Sequence, residues 1–193
     1  MKNIFFGIAI AAISFTACNS STNKSNESSN TSSDTTQATS QTNTEAKTAT
    51  PINEIVSGYL HIKNALANDN GNDAANGGKE IVTVIGKIDK ASFTEKQKKA
   101  FEDVADDVKE NAEHIGDNAG KIDHQREHFD MLSQDMYDLV KAFGGELQIL
   151  YKDYCPMYNN GKGAIWISET KEIRNPYLGK KMPTCGSVKE EIK

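Results

Sequence analysis

Beyond its first twenty residues the chain has no stretch apolar enough to cross a membrane. Its single apolar run, residues 4–13 of MKNIFFGIAIAAISFTACNSS, is too short for a hydrocarbon core of about 30 Å. Glycine-rich phosphate loops, a Gly-x-Ser-x-Gly elbow and a His-Glu-x-x-His pair are all missing, and no nucleophile stands beside a base, so no enzyme is expected. Cysteine is scarce: there are three, none in the Cys-x-x-Cys spacing of a thiol redox motif. Positive charge is not in excess either. The 22 Lys and Arg against 27 Asp and Glu leave a net charge of −5, which argues against nucleic acid or anionic lipid as a partner.

What is present begins with Lys2 ahead of the apolar run and Phe15-Thr16-Ala17-Cys18 behind it. That is the form of a signal peptide, residues 1–17. Its Ala17-Cys18 end resembles a bacterial lipobox, with Phe15 where Leu is commoner, so Cys18 is expected to carry a lipid after cleavage. Such a chain is anchored to a membrane through its N-terminal lipid and does not span it. Residues 18–50, rich in Ser, Thr, Asn and Gln and without an aromatic residue, read as a flexible tether. No acidic run follows Cys18, which favours a periplasm-facing anchor in the cell envelope over surface export.

Residues 51–193 fit one domain. Four stretches show helical spacing. Ile52, Ile55, Val56, Tyr59, Leu60, Ile62 and Leu66 mark the first, and it stops at Asn68-Asp69-Asn70-Gly71-Asn72. Ala74, Gly77, Ile81, Val84, Ile85 and Ile88 mark the second, weakened by Gly77-Gly78 at about 1 kcal/mol per glycine. Thr94-Glu95-Lys96-Gln97 has the capping-box form and opens the third, with Phe101, Val104, Val108, Ala112 and Ile115 as its stripe. Ile122, Phe129, Leu132, Met136, Leu139 and Phe143 form a bundle seam in the fourth, ended by Gly144-Gly145. The expected fold is mainly α: an up-down four-helix bundle with a short, irregular or hairpin-like C-terminal tail over residues 146–193. Two strands are expected there, at 147–151 and 164–167.

The tail carries the unusual residues: Cys155-x-Met157 and Met182-x-x-Cys185. Thiolate and thioether are soft donors, and a mixed set of both suits Cu(I), with Ag(I) as its mimic. Zinc takes Cys, His and carboxylates instead. Met157 in a turn and Met182 among lysines are in polar company, unlike core methionines. The plainer reading is a Cys155–Cys185 disulfide in an exported protein, worth about 3–4 kcal/mol, with the methionines as packing. Spacing alone leaves both open.

Tyr151-Lys152-Asp153-Tyr154-Cys155-Pro156-Met157, Gly163-Ala164-Ile165-Trp166-Ile167-Ser168, Asn175-Pro176-Tyr177-Leu178-Gly179 and Met182-Pro183-Thr184-Cys185-Gly186 together resemble the DUF3347 family, as do His128-Phe129 and Leu132-Ser133 more loosely. The resemblance covers about residues 51–193. It implies exported Bacteroidetes proteins and lipoproteins, with the same domain also fused to periplasmic adaptors of Cu/Ag efflux pumps. Copper handling follows as the expectation, with Cys155, Met157, Met182 and Cys185 as metal ligands. The partners would be the metal ion and an efflux adaptor, and no organic cofactor is needed. Trp166 and Tyr177 would shield the site from water. Relatives often place His immediately before Cys-Pro-Met; Tyr154 stands here, which removes one candidate imidazole.

Histidine offers further donors. His124 and His128 are spaced i, i+4, with Met131 one turn on, so the three share a helix face. They could bind Cu(II), or His128 could complete a Cu(I) site if the tail folds over it. The plainer reading of His124, among Asp123, Gln125 and Arg126, is a solvated residue. His61 and His114 lie on other helices and read as ordinary surface or interface residues.

Overall fold

The computed structural model describes residues 51–144 and 147–193, all within one compact unit, and leaves out the side chain of Pro51. The signal peptide with its Cys18 lipid site and the tether at 18–50 lie outside the described residues. Four helices come first: α1 (Pro51–Ala67), α2 (Gly71–Ile85), α3 (Glu95–Asp117) and α4 (Ile122–Phe143). Three strands follow: β1 (Leu150–Cys155), β2 (Ala164–Ser168) and β3 (Ser187–Ile192). Among the described residues, no helix is long and apolar enough to cross a membrane.

Two of the helices start at side-chain caps. The Asn70 side chain accepts the Asp73 N–H and caps α2. At α3 the expected capping box forms in full: Thr94 Oγ1 accepts the Gln97 N–H while Gln97 Oε1 accepts the Thr94 N–H. Successive helices pack on one another through short connections, as an up-down bundle requires. The two glycines of α2 have a packing role that outweighs their cost in propensity. A Cβ at Gly77 would stand 2.8 Å from Ile62 Cγ1, and one at Gly78 would stand 2.6 Å from the Ala112 carbonyl oxygen. Their bare backbones let α1 and α3 close on α2 from either side.

The tail is more ordered than the expected pair of strands. Order in the sheet is β2-β1-β3, antiparallel throughout, with Cys155 paired to Ala164 and Leu150 to Ile192. The first strand runs 150–155 and not 147–151, so Cys155 lies inside it. β3 has no counterpart in the sequence reading: Ser187-Val188-Lys189-Glu190-Glu191 is mostly exposed, as befits an edge strand whose neighbour supplies the pairing.

β2 lies on α4 and α1, and the seam between sheet and bundle is hydrogen-bonded. Tyr59 Oη accepts the Ile167 N–H at 2.9 Å and bonds Ser133 Oγ at 2.8 Å, both deep in the core. Arg126 donates from Nε to the Pro176 carbonyl and from Nη2 to the Leu66 carbonyl and Asp69, so one buried guanidinium ties α4 to the end of α1 and to the tail. Lys63 reaches Glu169 at 2.6 Å, where Asn64 also donates. The core is continuous, running from Ile52, Ile81 and Val108 through Phe129 and Leu139 to Trp166, Tyr177 and Ile192.

Candidate metal centre

Cys155 ends β1 and is fully buried; Cys185 lies on the turn before β3 and is half-buried. Both are free thiols, and their sulfurs are 2.9 Å apart across 30 residues of chain. Antiparallel pairing of β1 with both neighbours brings them together: Cys155 closes the β2 ladder, and Cys185 lies two residues before Ser187, which pairs with Tyr154. The second approach is set by hydrogen bonds. Asn175 Nδ2 donates to the Cys185 carbonyl, while Asn175 Oδ1 accepts the N–H groups of Tyr177 and Leu178. The Asn-Pro-Tyr turn therefore fixes the cysteine loop. Burial pushes the Cys185 thiol up to about 11, and the neighbouring Cys155 adds to it through hydrogen bonding and charge; a backbone hydrogen bond from Met157 works the other way.

Of the two methionines, Met182 closes a turn with Cys185, whose N–H donates to the Met182 carbonyl at 3.2 Å, and its side chain is half-buried. Met157 sits in the turn after β1, 57% exposed, with its backbone against Cys185. Trp166 and Tyr177 are buried on the inner side, their rings edge to face at 6.0 Å. Gly186, at φ +145°, would set a Cβ 2.7 Å from Trp166 Cη2, so the residue after Cys185 rests directly on the indole. Tyr177 donates from its hydroxyl to the Ile165 carbonyl and stacks on Tyr158 at 4.4 Å. Trp166 thus lies against the residue after Cys185, with the Tyr177 ring edge-on to the indole. Tyr154 lies between buried Asp153 and buried Cys155 in the strand, so its side chain takes the opposite face and covers Gly163. An imidazole at position 154 would leave β1 on that same face, away from Cys155.

His128 is placed elsewhere. Its Nδ1 bonds Asn111 Oδ1 at 3.0 Å on α3, and its ring stacks on His114 at 4.2 Å with an interplanar angle of 4°. The next residue, Phe129, is the one turned inward, where it meets Tyr59 of α1 and Tyr177 of the tail. His124 packs edge-on against His128 at 4.6 Å. Sequence reasoning gave His114 no partner, whereas the α3–α4 hairpin supplies two. The signal was available: His114 and His124 lie about equally far from the turn at 118–121, and such positions face each other in an antiparallel helix pair. His61 is held by Glu80 and Asp73 at 3.0 and 3.1 Å, which raise its pKa through hydrogen bonds.

No curated protein and no solved structure matches this chain. A family model described as "Protein of unknown function (DUF3347)" matches residues 55–147, from the first turns of α1 to the end of the bundle. Cys155, Met157, Met182 and Cys185 lie beyond the matched span, so the match bears on the helices and not on the sulfur residues. Over that span, just under half of the chain, the four-helix bundle matches the DUF3347 family.

Proposed function

We propose that the protein is a lipid-anchored, periplasm-facing envelope protein that binds a soft monovalent metal ion, Cu(I) with Ag(I) as its mimic. Its work is to buffer copper or pass it to an efflux adaptor, without catalysis. The observation that carries this reading is the meeting of Cys155 and Cys185 as free thiols 2.9 Å apart. Met182 lies in the same turn as Cys185, and the Met157 backbone lies against it. Thiolate and thioether together select a soft ion. An ion bound to both sulfurs at about 2.3 Å each needs them farther apart than 2.9 Å, so loading moves Cys185 outward on its half-exposed turn. The lipid at Cys18, the tether and the envelope location rest on the N-terminal sequence alone.

The same close approach supports a second reading: a non-catalytic envelope interaction module with a Cys155–Cys185 disulfide and no metal. Anaerobic Cu(I) titration of the chain against a competing chelator, with thiols counted first, separates the two. Copper handling predicts that Cys155 and Cys185 titrate as free thiols, that one ion binds per chain, and that Met157→Leu loses at least tenfold in affinity. The substitution conserves volume at an exposed position, so the fold is unchanged. Two blocked thiols with copper binding only after reduction, or undiminished binding by Met157→Leu, would sink the copper site.

A further inference from the structure

Three of the four histidines in the chain converge on one spot of the α3–α4 surface, apart from the sulfur pair. His114 comes from the last turn of α3, His124 from the first turn of α4 and His128 from the turn after it. One ring nitrogen from each lies within 4.8 Å of the other two. Three nitrogens around one ion at 2.0–2.1 Å stand about 3.3 Å apart, so modest ring rotations close the set. His114 is exposed and the other two are half-buried, so all three are reachable from solvent, and His124 Nδ1 also lies 3.4 Å from Glu127 Oε2.

The arrangement is held from behind. Asn111 is buried and donates from Nδ2 to the Asp107 carbonyl at 3.0 Å, which fixes its amide so that Oδ1 must accept. The partner at Oδ1 is His128 Nδ1 at 3.0 Å, which therefore carries the proton and leaves Nε2 with its lone pair free. This is the second partner that a metal-bound imidazole uses to fix its tautomer. Burial and the neighbouring rings of His114 and His124 push His128 below its ordinary value, against the pull of Glu127 and Glu110. An acidic groove runs on from His128 between the helices, lined by Asp107, Glu110 and Asp135 with Met131 at its edge. It concentrates cations beside the imidazoles.

We propose that His114, His124 and His128 bind a borderline divalent cation, Cu2+ or Zn2+, through three imidazole nitrogens, with the fourth position open to solvent. Imidazole suits both ions, and the affinity order favours Cu2+. The site does not depend on the copper reading of the tail: its donors are nitrogen where the tail's are sulfur, and its ion is divalent.

The test uses the full chain with one equivalent of Cu2+, read by electron paramagnetic resonance, and Zn2+ measured against a chelator. The expected result is one tight site with nitrogen hyperfine structure and no thiolate charge-transfer band. Each of His114→Gln, His124→Gln and His128→Gln should weaken Zn2+ at least tenfold while the helical signal and melting temperature hold. His61→Gln, whose ring is tied to Glu80 and Asp73, should bind as the unsubstituted chain does. A thiolate band in place of nitrogen coupling, affinity unchanged in all three variants, or equal loss in His61→Gln would overturn the assignment. Loss of Cu(I) binding at the tail with this site intact would refute the sulfur reading alone.

Discussion

At the scale of single residues, Asp153 is the least comfortable group in the described structure. It is fully buried in the middle of β1, and neither carboxylate oxygen has a hydrogen-bond partner. Burial pushes it from 3.8 up to about 7; Lys63 on α1 pulls it down and Glu169 beyond β2 pushes it further up. The folded state therefore holds a proton that the unfolded chain gives up near pH 4. The contribution of Asp153 to stability is greatest below that point, declines as pH rises toward about 7, and is level above. At about 1.4 kcal/mol per unit, the decline is on the order of 2–4 kcal/mol. Asp153→Asn should remove it, making the variant less sensitive to pH between 4 and 7 and more stable than the parent at pH 8. Denaturant titrations at pH 4.5 and 8 decide it: a stability difference between the two proteins that is the same at both values would show that Asp153 does not titrate in this way.

At the scale of elements, the bundle follows from sequence period and caps. The stripe of α4 and the Thr94–Gln97 box are local, so each could be read from a few neighbouring residues. What could not be read is whatever depends on two distant segments meeting. β3 is polar and owes its existence to β1, and the His114–His128 stack needs the register of a helix hairpin. The cysteine pair was legible as a pair but not as thiols, because spacing is the same for a disulfide and a metal site. Gly77-Gly78 shows the same limit: propensity counts them as weaknesses, and packing makes them contacts. Gly78→Ala should therefore destabilise by about 1–3 kcal/mol, since its Cβ would meet the Ala112 carbonyl at 2.6 Å and the gain in propensity is only about 1 kcal/mol. Gly86→Ala is the control. Gly86 has φ −71°, and its Cβ would meet nothing nearer than 3.9 Å, so a small gain is expected. Equal effects of the two in urea unfolding would mean that α2 and α3 do not pack as closely as described.

At the scale of the whole molecule, the question is whether the tail is an appendage of the bundle or part of its core. The seam argues for one cooperative unit. Tyr59 and Ser133 of the helices bond Ile167 and Tyr177 of the tail, Arg126 holds the Pro176 carbonyl, and Phe129 packs directly on Tyr177. Removing the tail would expose Phe129 together with the Tyr59 hydroxyl. The chain carries its own reporters for this. Trp166 is its only tryptophan and lies fully buried in β2, so its fluorescence follows the tail, while far-ultraviolet circular dichroism follows the four helices. The two signals should trace one transition with the same midpoint in denaturant, because neither part can expose its share of the seam alone. Oxidising Cys155 and Cys185 to a disulfide should raise both midpoints together, since it constrains the same unfolded chain. Tryptophan emission that shifts at lower denaturant than the helical signal would instead describe a tail that opens on its own. The metal capture proposed for Cys155 and Cys185 would then be a local event, with no cost to the bundle.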